Sequence, residues 1–343
     1  MFSEITRDRL RRFRQIKRAY FSLWILGIAF VLSLFSEFLA NDHPLYIYYN
    51  GKHYFPVAAF YPGEEFGQNR RTEADYIALR NDARFREQAV MILPIHEHSP
   101  NHSYLDLPEP PPTPPSREHP FGTDRQGRDV LARILYGFRI CMLFSLSLMI
   151  ITAILGIIVG GVQGYIGGKA DITMQRIIEI WSALPFLYVI LLIGAVYGRS
   201  FGMLLAVMAL FSWIGLSYYM RGEFLRLKNQ TYVRVAKAQG LGAVRIFRRE
   251  ILPNALTPLI TILPFSLIGG ITALTALDFL GFGLQPPTPS WGELLQQGLA
   301  VIRESPWLTI FTTAALFITL MLATFIGEGV RDAFDPRSRV RME

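Results

Sequence analysis

Apolar runs long enough to cross a lipid bilayer dominate this chain of 343 residues. Six are visible, at 20–40, 140–160, 181–198, 203–220, 255–277 and 307–326. A bilayer core asks for roughly 20 apolar residues per helix. Because hydrocarbon offers no hydrogen-bond partners, a single run satisfies its backbone only as a helix. Composition agrees: 51% of residues are hydrophobic and 18% charged, against about 25% charged in soluble domains. The expectation is an all-α integral membrane protein with six spans. Pro258, Pro264 and the Gly269-Gly270 pair fall inside the fifth run, where neighbouring helices can satisfy the freed backbone.

Charge sets the expected orientation. Residues 1–19 carry Arg7, Arg9, Arg11, Arg12, Arg14, Lys17 and Arg18 against Glu4 and Asp8, which places the N-terminus in the cytoplasm. A basic helix lying on the lipid surface over 4–18 is compatible with that. Alternation then puts 167–176, 221–254 and the C-terminal tail inside, and the tail holds Arg331, Arg337, Arg339 and Arg341. The net charge of +7 and pI near 9.5 would suit a nucleic-acid partner, but the arginines flank apolar runs, so bilayer sidedness explains them and no nucleic acid is expected. The first run is too long for a cleavable signal and reads as an anchor. Cys141 is the one cysteine, which excludes an intrachain disulfide and a cysteine metal cluster.

The segment 41–118 is a polar insertion between the first two spans, on the outer side. It has aromatic alternation (Tyr46, Tyr48, Tyr49, Tyr54, Phe55), a charged helical part over 72–86, and a proline-dense run over 108–115 that reads as a semi-rigid spacer. All six histidines (His43, His53, His96, His98, His102, His119) lie on this side. A metal site at His96, His98 and His102 lacks cysteine or helical i, i+4 support, so solvated loop histidines are expected. An amphipathic interfacial helix is expected over 130–139, before the second span. The charged cluster ahead of it, Asp124, Arg125, Arg128 and Asp129, holds no nucleophile–base pair, and a charged helix cap is the reading.

Within the spans, ionisable residues keep to the ends (Glu37, Glu179, Asp278, Glu328). Ion-coupled carriers place such groups at mid-depth, so self-energised transport is not expected. No GxxxxGK[ST] phosphate loop occurs, so the chain does not bind ATP in that way. Gly156, Gly160, Gly161 and Gly164, with Gly269, Gly270, Ala273 and Ala276, favour close helix contacts.

The most specific stretch is 221–254, which carries eight Lys/Arg between two spans. A short helix over 232–239 has Val233, Ala236 and Gly240 along one side and Arg234 with Lys237 on another. Gly240 and Gly242 punctuate; a second helical piece over 243–251 follows, and Pro253 suits the first turn of the next helix. The result is a basic elbow, read either as an ordinary cytoplasmic loop or as a knob for a groove on a partner, with Ala236 and Gly240 small enough to seat deeply.

Ala236, Gly240, Leu252 and Pro253 match, at the same spacing, the EAA loop of ABC-importer permeases; Arg234 and Val235 depart from its Glu and first Ala. Gly122-Thr123-Asp124-Arg125-Gln126-Gly127-Arg128-Asp129 resembles the GTD-x-x-GRD motif of the oligopeptide/dipeptide branch. Phe279, Leu280, Gly281 and Gly283, then Trp291, resemble its outer re-entrant segment, and 327–336 its closing motif. The insertion, with Tyr54-Phe55-Pro56-Val57, is similar to that of the Yej branch, associated with peptides and the peptide–nucleotide microcin C. The resemblance implies a six-helix type I importer permease (MetI-like) core over 119–336. It implies a heterodimer with a second permease subunit and two cytoplasmic ATPase subunits that bind ATP and Mg. It also implies a periplasmic substrate-binding protein, a peptide or peptide-like substrate, and the bacterial inner membrane. The alternative is a membrane-anchored enzyme or receptor acting through 41–118.

Overall fold

The computed structural model describes residues 4–104, 107 and 109–334. Pro108, Asp335, Pro336, Arg337, Arg339, Arg341 and the expected tail 337–343 lie outside the described residues. In chain order the helices and strands are α1 (Glu4–Gln15), α2 (Lys17–Leu34), α3 (Ser36–Leu39), β1 (Tyr46–Tyr49), β2 (Lys52–Tyr54), α4 (Tyr76–Asn81), α5 (Ala83–Gln88) and β3 (Ala89–Ile92). Then follow α6 (Val130–Ile166), α7 (Gly168–Ser182), α8 (Phe186–Tyr197), α9 (Phe201–Leu227), α10 (Thr231–Ala238), α11 (Ala243–Ile246), α12 (Leu252–Phe279), α13 (Trp291–Ala300) and α14 (Pro306–Phe334).

Among the described residues five helical stretches are long and apolar enough to cross a membrane, and a sixth span is available if the bent pair α7 and α8 counts as one. The bend is 65°, at Ala183–Pro185, where a proline interrupts the ladder. The third span is therefore not the single run over 181–198 that hydropathy predicts. The interfacial helix expected over 130–139 is not separate either: it is the first part of α6, continuous for 37 residues.

The chain divides into two compact units. The first comprises Met1–Gly27, Cys141–Gln285 and Phe317–Glu343. Its packing bears out the small-residue reading. Side chains at Gly156, Gly160 and Gly164 on α6 would run into Leu216, Ser217 and Arg221 of α9, so glycine every fourth residue lets the two helices touch through their backbones. Gly270 likewise meets Ser145, whereas Gly269 has open space.

The second unit comprises Ile28–Ile140 and Pro286–Leu316. It holds a three-stranded antiparallel sheet, ordered β2-β1-β3. β1 and β2 are joined by Asn50-Gly51, both at positive φ (49° and 77°), as a two-residue hairpin turn matched to strand twist demands. Ile47, Tyr54, Phe66, Tyr76, Leu79 and Phe85 close a small aromatic core beneath it. The expected helical part appears as α4 and α5, capped by Asp75 and Asp82. The helical class therefore describes the spans, while the outer insertion adds a β element.

Candidate functional site

The elbow belongs to the first unit. Val233 and Ala236 of α10 are buried, and they pack with Met220, Phe224, Leu227, Ile246, Ile251 and Ala255 of the same chain. Ala236 is only 5% exposed. This corrects the expectation that Ala236 offers a small surface to a partner: its methyl anchors the elbow to its own bundle. Gly240 does not share that face, since nothing lies within 4 Å of where its Cβ would be. Its φ of +79° instead ends the helix. The Leu241 N–H reaches the Ala236 carbonyl at 3.2 Å and the Gly240 N–H reaches Lys237 at 3.0 Å, the paired bonds of a Schellman termination.

From α11 the backbone passes through one wide π turn, Phe247–Ile251, directly into α12. That turn suits Pro253, which has no donor and a ring that crowds the preceding turn. The second arm of the elbow is thus the foot of a span. Leu252 packs partly against the core and Pro253 is exposed. Arg234 is exposed and folds back, donating from Nε and Nη2 to the Asn229 carbonyl at 3.1 and 3.0 Å. The outward surface is apolar as well as basic: Tyr232, Val235 and Val244 are 39%, 49% and 71% exposed. A groove of about 610 Å³ runs past Tyr232, Val235, Gln239, Leu241 and Glu250. Sequence reasoning picked the helix correctly but missed these exposed apolar residues; the signal was apolar Val235 and Val244 beside basic neighbours.

The motif over 122–129 belongs to the second unit and is a clasp. Gly122 and Gly127 take positive φ, 74° and 73°, and a side chain at either would strike Thr113 and Trp307, or Tyr104. Thr123 Oγ1 accepts from the Thr113 N–H at 2.9 Å, so the proline run expected as a semi-rigid spacer is tied down at Thr113. Asp124 accepts from the N–H groups of Gln126 (2.9 Å) and Arg128 (3.0 Å) and from Arg128 Nε (2.8 Å). Arg128 Nη2 also donates to Glu293 Oε1 at 2.8 Å. Arg133, fully buried, donates to Glu293 and to the Pro100 carbonyl.

Asp129 caps α6 through the Ala132 N–H at 2.7 Å and is bonded by His96 Nε2 at 2.9 Å and His119 Nδ1 at 2.8 Å. Burial alone would raise its pKa, but those two histidine bonds outweigh it and hold the carboxyl down at about 2. His96 and His119 are therefore not the solvated loop histidines expected from sequence. His98 packs against both, its ring centroid 4.9 Å from His96, edge-on, and 4.3 Å from His119. Among the described residues no group of three His, Cys, Asp or Glu is placed to hold a metal. Every carboxylate of the clasp is committed to a cation or cap, so the arrangement braces and does not catalyse.

In the first unit, the re-entrant sequence starts with a second Schellman termination: Phe282 N–H to Leu277 at 2.8 Å and Gly281 N–H to Asp278 at 3.0 Å. Gly281 is at φ +78°, Arg199 donates to its carbonyl, and Gly283 lies flat against Asp278. Phe279 ends α12 and Leu280 is half-exposed. In the second unit, Trp291 is buried at the start of α13, with its Nε1 donating to the Ile134 carbonyl at 3.0 Å over Gly137, where no side chain would fit.

Helices long and apolar enough to cross a bilayer, five among the described residues and a sixth if the bent pair counts as one, define a multi-pass membrane protein. The chain belongs to the family of binding-protein-dependent transport system inner membrane components, whose model matches residues 141–340. The N-terminal transmembrane domain of oligopeptide transport permease C matches 5–56. It is a permease subunit of an inner-membrane ABC importer and not an enzyme; the ATPase is a separate partner. The chain is 44% identical to the inner membrane ABC transporter permease protein YejE of Escherichia coli K12, over 98% of this chain and 99% of that protein. It is 42% identical to the peptidoglycan transport system permease protein YejE of Agrobacterium fabrum, over 99% and 95%. The dipeptide transport system permease DppC of Bacillus subtilis is 38% identical over 66% of this chain and 71% of its own length. Among solved structures, the MetNI methionine ABC transporter overlaps 56% of this chain and 94% of its own at TM-score 0.45 and 17% identity.

Proposed function

We propose that this subunit forms half of a translocation pathway for peptides or peptide-like compounds, paired with a second permease subunit. Two cytoplasmic ATPase subunits that bind ATP and Mg would drive it, and a periplasmic binding protein would deliver the substrate. The observation that carries the reading is the elbow. α10 is pinned to its own bundle by Val233 and Ala236, leaving Tyr232, Arg234, Val235 and Val244 outward, a rigid knob with apolar contacts and a basic rim. Such a knob transmits force because its inner face cannot slip. The relatives' printed names, dipeptide, oligopeptide and peptidoglycan transport, support a substrate with peptide bonds.

The basic ends of the spans support cytoplasmic termini and an outward 41–139. In this frame the clasp over 122–129 and the segment 279–291 would each face the periplasm. The test is uptake of labelled tri- to pentapeptides by a strain lacking the subunit and complemented with it. Copurification of ATPase subunits is scored in parallel. Absence of ATPases from the tagged complex would overturn the coupling role, and normal peptide uptake without the subunit would overturn the substrate class. Orientation is checked on a Cys141→Ser background with an impermeant thiol reagent. A cysteine at 75 should label in whole cells and one at 230 should not; the reverse pattern would overturn the topology.

A further inference from the structure

We propose that the first unit carries a binding site for the phosphate-bearing headgroup of an anionic phospholipid. The site lies between α1, the foot of α9, the elbow and the near ends of α12 and α14. This goes beyond the transport reading and does not depend on it. A cavity of about 620 Å³ is lined there by Arg9, Arg226 and Arg331, with Thr257, Thr261 and Tyr232 among its polar groups. Among the described residues Glu223 is its one acidic lining residue, and that carboxylate is taken by Arg226 at 2.7 and 3.0 Å. Among the described residues neither Arg9 nor Arg331 is in an ion pair. The Arg9 guanidinium lies 4.8 Å over the Phe334 ring, which fixes its plane. Two uncompensated guanidinium forks and a set of hydroxyls form a donor set matched to phosphate oxygens.

Position decides which phosphate. Arg226 lies in the last turn of α9 and Arg331 in the last turn of α14, and Thr257 lies near the start of α12. The cavity is therefore at the depth where three spans leave hydrocarbon, the level of lipid headgroups. Its wall also includes Leu227, Pro258 and Phe334, apolar surface that inorganic phosphate would not use and a glycerol backbone would. α1 seats against the bundle through Phe13, which packs with Ala19 and Ala333, while Arg7, Arg11 and Arg14 of the same helix are exposed. An occupant here would bridge α1 to Tyr232 of the elbow.

The experiment uses the assembled transporter in phosphatidylcholine vesicles doped with a photoactivatable phosphatidylglycerol, and the crosslinked peptides are mapped. The expected result is labelling of peptides from α1, 223–232 and the end of α14, displaced by unlabelled phosphatidylglycerol and not by millimolar inorganic phosphate. Arg9→Gln combined with Arg331→Gln should cut labelling roughly tenfold or more. Arg11→Gln, on the exposed side of the same helix, should leave it nearly unchanged. Displacement by inorganic phosphate would make this a soluble-anion site and overturn the lipid assignment. An equal loss in Arg11→Gln would reduce it to general surface charge, and no labelling of these peptides in the unaltered complex would remove it altogether. That last readout needs no variant, so it stands if the double substitution fails to assemble.

Discussion

Arg221 grips Asp171 through two parallel charge-assisted bonds, Nε to Oδ1 at 2.6 Å and Nη2 to Oδ2 at 2.7 Å. The pair fastens the last turns of α9, from which the elbow departs, to the first turn of α7, and Asp171 is buried. A bidentate pair at the root of the elbow limits how far the elbow can swing independently of its neighbour.

Removing one partner leaves the other charge partly buried and unpaired. Arg221→Gln and Asp171→Asn should each destabilise the first unit by roughly 1–3 kcal/mol. A double-mutant cycle should return a coupling energy of at least about 0.5 kcal/mol, read from melting of the detergent-solubilised complex. Arg221→Lys should recover only part, because an ammonium cannot make the fork. Additive single effects would show the pair to be a bystander.

At Gly240 two explanations of the glycine are separable. A left-handed residue with a side chain costs about 1–2 kcal/mol, which asparagine tolerates better than others. Open space surrounds the missing Cβ, so no clash within the chain opposes substitution. Gly240→Asn should retain substrate-stimulated ATP hydrolysis, while Gly240→Val should lower it by about tenfold with membrane insertion unchanged. Equal loss in both would place a partner's surface directly against position 240 and move the explanation from backbone to contact.

The second unit should loosen in acid through His98. Burial, then the neighbouring His119, pushes its pKa from the ordinary 6.5 down to about 4, with His96 and Arg80 adding to that and Asp129 opposing it. Tyr104 completes the ring contacts. Between those values the folded unit binds fewer protons than the unfolded chain, so the contribution of His98 is complete above the ordinary value and is lost as pH falls toward 4. Asp129, held down at about 2, keeps its contribution through that window. The melting temperature of the complex should fall between pH about 7 and about 4.5. His98→Phe should flatten that dependence, and an unchanged slope in the variant would assign it elsewhere.

What sequence revealed and what it concealed divide along the range of the interactions. The α10 helix and the glycine stripe of α6 rest on local periodicity and appear where expected, whereas the run over 181–198 does not hold as one helix. Asn50-Gly51 carries an equally local hairpin signal that the helical reading of the chain passed over. The continuity of α6 was hidden because Arg133 and Arg139 look like the rim of an interfacial helix. They are tolerated since Glu293 and Glu37, far off in sequence, come to meet them. Likewise His96 and His119 look solvated until folding brings both onto Asp129. The break at Pro185 was legible as a proline, but its 65° bend depends on packing that hydropathy does not encode.

Glu293 is the residue on which the outer clasp turns, and nothing in its local sequence marks it. It accepts from Arg128 at 2.8 Å, from Arg133, and from Gln297 Nε2 at 3.0 Å, while Arg128 and Arg133 are themselves buried. Glu293→Ala strands two buried cations against the single carboxylate of Asp124. Breaking a buried pair by removing one partner typically costs about 3–5 kcal/mol, a large share of the stability of any one unit. The variant should therefore accumulate poorly in the membrane. Replacing a cation together with its acid by apolar groups is often close to neutral, so Glu293→Leu combined with Arg133→Met should recover much of the loss. Pulse–chase of the tagged subunit measures both. Stable accumulation of Glu293→Ala would mean that water reaches the two arginines and that the clasp is far weaker than its geometry implies.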